Sequence, residues 1–215
     1  MNKRATALVI AGPSGGGKTT VMNELIKSDV GFSLVRSATT RQRRNDGNDT
    51  EYIYLSRDEF LALCGSGKML EFTEYGGNLY GTPHSEIERI VKEGKIPLLI
   101  LDINGVRSLR RAKLDFDVYA VYLYAPLTVL SQRLTSRYFV GGTLSDSYTV
   151  RMDSNLSDYR ASDEWIELFD AVIPNLSLDE VKAVLLSSFG QGAHAMDEGI
   201  VDKIKSDADA FSRKI

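Results

Sequence analysis

Residues Gly12-Pro13-Ser14-Gly15-Gly16-Gly17-Lys18-Thr19 satisfy GxxxxGK[ST] at every fixed position. The apolar run Ala7-Leu8-Val9-Ile10-Ala11 before them reads as a strand, and Val21-Met22-Asn23-Glu24-Leu25-Ile26 after them as part of a helix from Lys18 to Lys27. That context restricts the fold more than any other stretch of the chain. Glycines at a strand-to-helix turn take positive φ and wrap bare N–H groups around phosphate oxygens, and the helix adds its positive end. Lys18 then reaches the β- and γ-phosphates of a nucleoside triphosphate, and the Thr19 hydroxyl ligates the Mg²⁺ that bridges them. A glycine-rich turn without a ligand is the alternative, which the flanking strand and helix argue against.

The rest of the chain reads as an α/β protein with an insert. Phe32-Ser33-Leu34-Val35 is a short strand leading into the basic segment Arg36 to Arg44, either a solvated loop or a second anion site. Tyr52-Ile53-Tyr54-Leu55 is a strand with tyrosines on one face, and Ser56-Arg57-Asp58-Glu59 a capping box opening a helix that Gly65 or Gly67 ends. Residues 69–75 read as a strand and residues 76–82, rich in glycine, as a turn. Residues 36–83 therefore form a β-rich insert suited to bringing a second substrate.

The core resumes with a helix over 85–93 and the apolar strand Ile96 to Asp102, buried on both faces. Asp102 stands where such an enzyme keeps a carboxylate of its Mg²⁺ shell, or else it caps a helix beginning near Gly105. A strand at 118–123, a helix at 127–137 carrying Arg133 and Arg137, a loop at 138–145 and a helix at 146–160 carrying Arg151 follow. Arginines on both sides of a glycine-containing loop suit a lid over triphosphate. The last strand spans 169–175, with a helix from Ser177. Met196, Ile200, Ile204, Ala208 and Phe211 recur at nearly helical spacing, predicting an amphipathic helix that docks on the core or on a second subunit.

Composition narrows the partners. A net charge of −3 over 215 residues offers no general attraction for nucleic acid or anionic lipid, so basic clusters are read locally. The single cysteine, Cys64, excludes an internal disulfide and suits a reducing compartment; it reads as a core-facing helix residue. No apolar run approaches the roughly 18 residues of a membrane span, and the basic start lacks the form of a signal peptide, so a cytoplasmic protein is expected. His84 and His194 are isolated, and Trp165 reads as packing.

Over about residues 5–188 the chain resembles guanylate kinase, through GPSGGGKTT at 12–20, SATTR at 37–41 with Arg44 three residues later, Glu71, GNLYGT at 77–82, LDINGV at 101–106 and FDAVIPN at 169–175. The resemblance implies an α/β P-loop kinase with a central parallel sheet flanked by helices, a β-rich NMP-binding insert and a mobile lid. Its core would be residues 1–35, 84–132 and 161–190, its GMP lobe 36–83 and its lid 133–160, with 191–215 a helical extension beyond the resemblance. Gly12, Pro13, Ser14, Gly15, Gly16, Gly17, Lys18, Thr19 and Thr20 would bind ATP. Arg41, Arg44, Tyr52 and Tyr80 would hold the GMP phosphate, and Ser37, Glu71, Thr82 and Asp102 the guanine. Lys18, Arg137 and Arg151 would serve the transferring phosphoryl group, with Mg²⁺ on Thr19 and Asp102. ATP and GMP are the implied substrates and a monomer or homodimer the implied state.

Guanine suits these residue types. A carboxylate such as Glu71 accepts N1–H and N2–H₂ together, and O6 accepts from a hydroxyl such as Thr82, whereas adenine places a lone pair against the carboxylate. Against the family pattern, Ile100 replaces an acidic residue, the lid is about three residues longer, and Asn175-Leu176 replaces an asparagine-acid pair. Two other readings are a P-loop kinase acting on a different phosphorylated acceptor, such as ribose bisphosphate, and a non-catalytic guanylate-kinase-like interaction module.

Overall fold

The computed structural model describes residues 4–43, 52–75, 77–191 and 196–213. The chain begins with β1 (Thr6–Ala11), α1 (Lys18–Ile26), β2 (Phe32–Leu34), β3 (Ser37–Thr39), β4 (Tyr52–Tyr54), α2 (Arg57–Gly65), β5 (Met69–Tyr75) and β6 (Asn78–Pro83). It continues through α3 (His84–Lys92), β7 (Ile96–Ile100), α4 (Ile103–Arg111), β8 (Asp117–Tyr124) and α5 (Leu127–Tyr138). A short hairpin, β9 (Phe139–Val140) and β10 (Thr143–Leu144), precedes α6 (Asp146–Arg160), α7 (Ser162–Trp165) and a 3₁₀ turn, and the chain ends with β11 (Ala171–Pro174), α8 (Leu178–Gln191) and α9 (Ile200–Ser212).

The central sheet has the order β11-β8-β1-β7-β2. Its pairs β11 with β8 and β2 with β7 are parallel, in registers Ala171 to Val121 and Phe32 to Ile96. Ala7 to Ala11 and Ala120 to Leu123 are wholly buried, which is why these strands read as unbroken apolar runs. Among the described residues no helix is long and apolar enough to cross a membrane.

By contacts the chain divides into two units, Met1–Val9 with Met22–Tyr119, and Ile10–Val21 with Ala120–Ile215. The first carries a four-stranded sheet of order β4-β3-β6-β5. Ser37 pairs with Tyr52, Thr39 with both Tyr54 and Tyr80, Thr73 with Tyr80, and Glu71 with Thr82, so these side chains share one face of the pleat. The opposite face presents Ala38, Ile53 and Leu79 to α2, where Phe60, wholly buried, closes a small core against which Cys64 packs. The capping box forms as predicted, Ser56 Oγ accepting from Glu59 N while Glu59 accepts from Ser56 N.

Three elements differ from the sequence reading. Of the stretch 76–82, expected to be a turn, residue 76 lies outside the described residues, Gly77 has φ 76°, and 78–83 form β6. Gly81 serves close approach, since a Cβ there would lie 2.7 Å from Glu71 O and 3.0 Å from the Phe60 ring. Part of the basic segment is β3, recruited by pairing on both sides rather than by its own propensity. The stretch 138–145, expected to be a loop, is the β9–β10 hairpin, turned by Gly141 and Gly142 at φ 62° and 87°.

The second unit packs α9 against α5, α6 and α7. Ile200, Ile204 and Ala208 are buried, as an amphipathic tail helix requires, whereas Met196 lies before the helix and is exposed. Trp165 packs on the rings of Tyr122 and Phe169.

Candidate active site

In the second unit the glycine loop runs from β1 into α1. Gly17 has φ 84°, and a Cβ there would collide with Asn175 Nδ2, so both conformation and space demand glycine. Asn175 Nδ2 donates to Gly16 O at 2.6 Å. Asn155, buried on α6, clamps the loop by accepting from Ser14 N at 2.8 Å and donating to Ser14 O at 2.9 Å. Arg133 on α5 donates to Gly15 O and Asn175 O, and Arg151 on α6 to Ser14 Oγ at 3.1 Å. Lys18 opens α1 and donates to Gly12 O and Pro13 O.

Loop residues 14–20 line an open pocket together with Arg133, Arg137, Arg151, Asn175 and Leu176. The Arg137 and Arg151 guanidiniums lie 5.6 and 5.5 Å from the Tyr138 ring centroid. Thr19 and Thr20 are exposed. This unit therefore presents backbone N–H groups, a lysine and three arginines to one pocket, a set suited to a polyphosphate.

In the first unit, β5 and β6 set Glu71 and Thr82 side by side, and Thr82 Oγ1 donates to Glu71 Oε1 at 2.7 Å; both residues are buried. Burial pushes the Glu71 carboxyl above the ordinary carboxylate range, the Thr82 bond opposes this, and the charge of Asp102 adds to it. On the same face Arg41 donates to Tyr54 Oη at 3.2 Å and lies over the Tyr52 ring, 5.1 Å from its centroid, while Tyr80 meets Tyr52 edge to face. Ser37 heads this row opposite Tyr52. Arg44 lies outside the described residues.

Asp102 is exposed and caps α4, its Oδ1 accepting from Gly105 N at 2.7 Å. The helix begins at Ile103, two residues earlier than the sequence suggested.

Tyr54, Asn155 and Arg43 escaped the sequence reading of the site as individual residues, whereas Arg133 was already placed with Arg137 on the helix before the glycine-containing stretch. Tyr54 shares the strand face of Tyr52 two residues on, and Asn155 follows Arg151 by one helical turn, so periodicity alone could have nominated both. Arg43 lies over the Tyr54 ring at 4.9 Å, a contact that only the fold reveals.

A strand, glycine loop and helix joined to an arginine-bearing helix pair, with a carboxylate-hydroxyl sheet face in the other unit, define a P-loop α/β protein of kinase type. The family model described as guanylate kinase matches residues 4–191. The chain is 31% identical over 195 residues to a guanylate kinase of Bacillus subtilis (strain 168), covering 87% of this chain and 91% of that protein. It is 34% identical over 189 residues to a guanylate kinase of Rhizobium johnstonii, covering 85% and 82%. A crystal structure of guanylate kinase from Anaplasma phagocytophilum shares the fold, with a TM-score of 0.63 at 23% identity, over 89% of this chain and 88% of that one. The chain belongs to the guanylate kinase family.

Proposed function

We propose that this enzyme transfers the γ-phosphoryl group of ATP to GMP, giving ADP and GDP. The observation that carries the acceptor is the buried Glu71–Thr82 pair: a carboxylate matches guanine N1–H and N2–H₂, and the Thr82 hydroxyl, whose single proton goes to Glu71 Oε1 here, would turn to donate to O6 when guanine binds. Arg41, Arg44, Tyr52 and Tyr80 hold the GMP phosphate, and Ser37 and Asp102 join the guanine set. Tyr54 orients Arg41, since its hydroxyl accepts from the guanidinium.

Gly12 to Thr20 cradle the ATP phosphates, and Asn155, Asn175 and Arg133 hold that loop in shape through the bonds above. Lys18, Arg137 and Arg151 neutralise charge that develops on the transferring group, because this reaction needs positioning and electrostatics rather than covalent chemistry. As hard oxygen donors, the exposed Thr19 hydroxyl and, in the other unit, the Asp102 carboxylate each have the chemistry of a Mg²⁺ ligand. Bound there, a Mg²⁺ ion would supply neutralisation of phosphate charge. In this scheme residues 36–83 act as the acceptor lobe and 133–160 as the lid.

The test is a coupled ADP-release assay across AMP, GMP, CMP, UMP and ribose bisphosphate. GMP should dominate, and a preference for ribose bisphosphate or absence of turnover with every acceptor would overturn the assignment.

A further inference from the structure

α9 lies beyond the segment matched by the family model, yet it touches the start of α5 and the end of α6, the two helices that reach the phosphate loop. At one end α5 opens after Pro126, an N-cap residue whose side chain makes no capping bond. Asp207 of α9 supplies the missing acceptor: Leu127 N donates to its Oδ2 at 2.7 Å. A carboxylate at this position also meets the positive end of the α5 dipole. At the other end Arg160, the last residue of α6, donates to Ser212 Oγ at 2.8 Å, and Lys205 pairs with Asp163 at 2.8 Å.

The same two ends are joined from inside, where the buried Tyr159 hydroxyl donates to Ala125 O at 2.6 Å. Lys203 lies over the Tyr124 ring, and burial together with the nearby Asp207 charge pushes that phenol up to about 12. From this capped end α5 runs as a rod, with Arg133 about 9 Å and Arg137 about 15 Å along its axis at 1.5 Å per residue. α6 carries Arg151 and Asn155 to Ser14 from the far end.

We propose that α9 is a strap across both roots of the α5–α6 pair and that Asp207 is a positioning residue for the donor site: by capping α5 it sets where Arg133 and Arg137 stand against the phosphate loop. This rests on reading the loop as the ATP site, so direct ATP binding is measured as well as turnover.

The experiment compares wild type with Asp207→Ala, Asp207→Asn and Asp209→Ala, using titration with a non-hydrolysable ATP analogue, steady-state kinetics and thermal melts. Asn retains an oxygen that can accept from Leu127 N, and Asp209 is an exposed acid on the same helix. Asp207→Ala should weaken analogue binding and raise KM for ATP by about three- to tenfold, within the range of a lost N-cap, with KM for GMP unchanged. Asp207→Asn should recover most of the loss, and Asp209→Ala should match wild type. Lowered thermal stability in Asp207→Ala with unchanged ATP affinity would overturn the proposal, as would Asp207→Asn behaving like Asp207→Ala. Should Asp207→Ala not fold, the Asp207→Asn and Asp209→Ala pair decides: weaker ATP binding in Asp209→Ala refutes a specific role for Asp207. Failure of wild type to bind the analogue would instead refute the ATP-site reading.

Discussion

Glu71→Gln separates the reading of guanine from the folding of the sheet that reads it. Gln keeps an oxygen that can accept from Thr82 Oγ1, so the 2.7 Å cross-strand bond survives. What changes is that the other oxygen becomes an NH₂ donor and the charge disappears. Charge-assisted bonds to N1–H and N2–H₂ are each worth about 1.5–3 kcal/mol, so kcat/KM for GMP should fall by roughly one to three decades at 1.4 kcal/mol per decade. KM for ATP should stay near wild type, and discrimination against AMP should narrow as the repulsion of its N1 lone pair is relieved.

Stability should move the other way. Burial raises the Glu71 carboxyl in the folded state, so the ionised form opposes folding at neutral pH. Replacing it with a neutral isostere should raise Tm, by about 2–4 °C for each kcal/mol relieved in a chain of this size. The raised carboxyl also means that wild-type GMP efficiency falls on the acid side at a pH above the ordinary carboxylate range, a limb that Glu71→Gln should lack. Steady-state kinetics with GMP and AMP at saturating ATP, repeated across pH, and thermal melts of both proteins make the measurement. Unchanged GMP efficiency would remove Glu71 from the guanine site.

Lys18→Ala should abolish phosphoryl transfer while its melt stays cooperative, since the bonds of Lys18 to Gly12 O and Pro13 O are to loop carbonyls and not to the core; turnover within about tenfold of wild type would remove Lys18 from the phosphate site. For Glu86, burial alone would raise the carboxyl, but hydrogen bonds from Arg36 and Arg89 hold it at about 2 against an ordinary 4.5. A depressed folded value stabilises the protein above pH 4.5 and is lost as pH falls toward 2. With both arginines partly exposed, Glu86→Gln should cost about 1–2 kcal/mol at neutral pH, and the gap should narrow in acid. Denaturation at a series of pH values would refute this by giving a constant gap. Gly81→Ala should destabilise by about 1–3 kcal/mol through overpacking against Glu71 O and Phe60, measured by chemical denaturation, and a neutral result would mean that the sheet yields there.

Local chemistry was legible in the sequence wherever it depends on neighbours a few residues apart. The glycine loop with its strand and helix, the Ser56 capping box, the 146–160 helix and the apolar face of the tail all follow from spacing alone. The misread stretches share one cause. Residues 37–39 and 78–83 have the glycines and hydroxyls of loops, and become strands because partners distant in sequence satisfy their backbone groups. Gly81 looks like a turn residue from sequence and is in fact a packing residue.

Which side chains meet is a longer-range matter still. The sequence by itself determined the strand, glycine loop and helix, and arginines on both sides of a glycine-containing stretch, because each is a residue type in a short pattern; Glu71 and Thr82, 11 residues apart, were nominated only by resemblance to a family. Tertiary structure alone decided that Glu71 bonds Thr82, that Asn155 and Asn175 hold the loop from 141 and 159 residues away, and that Asp207 caps a helix 80 residues earlier. Such contacts depend on strand register and helix docking, which are set by burial of whole apolar faces and leave no local signature at the residues they join.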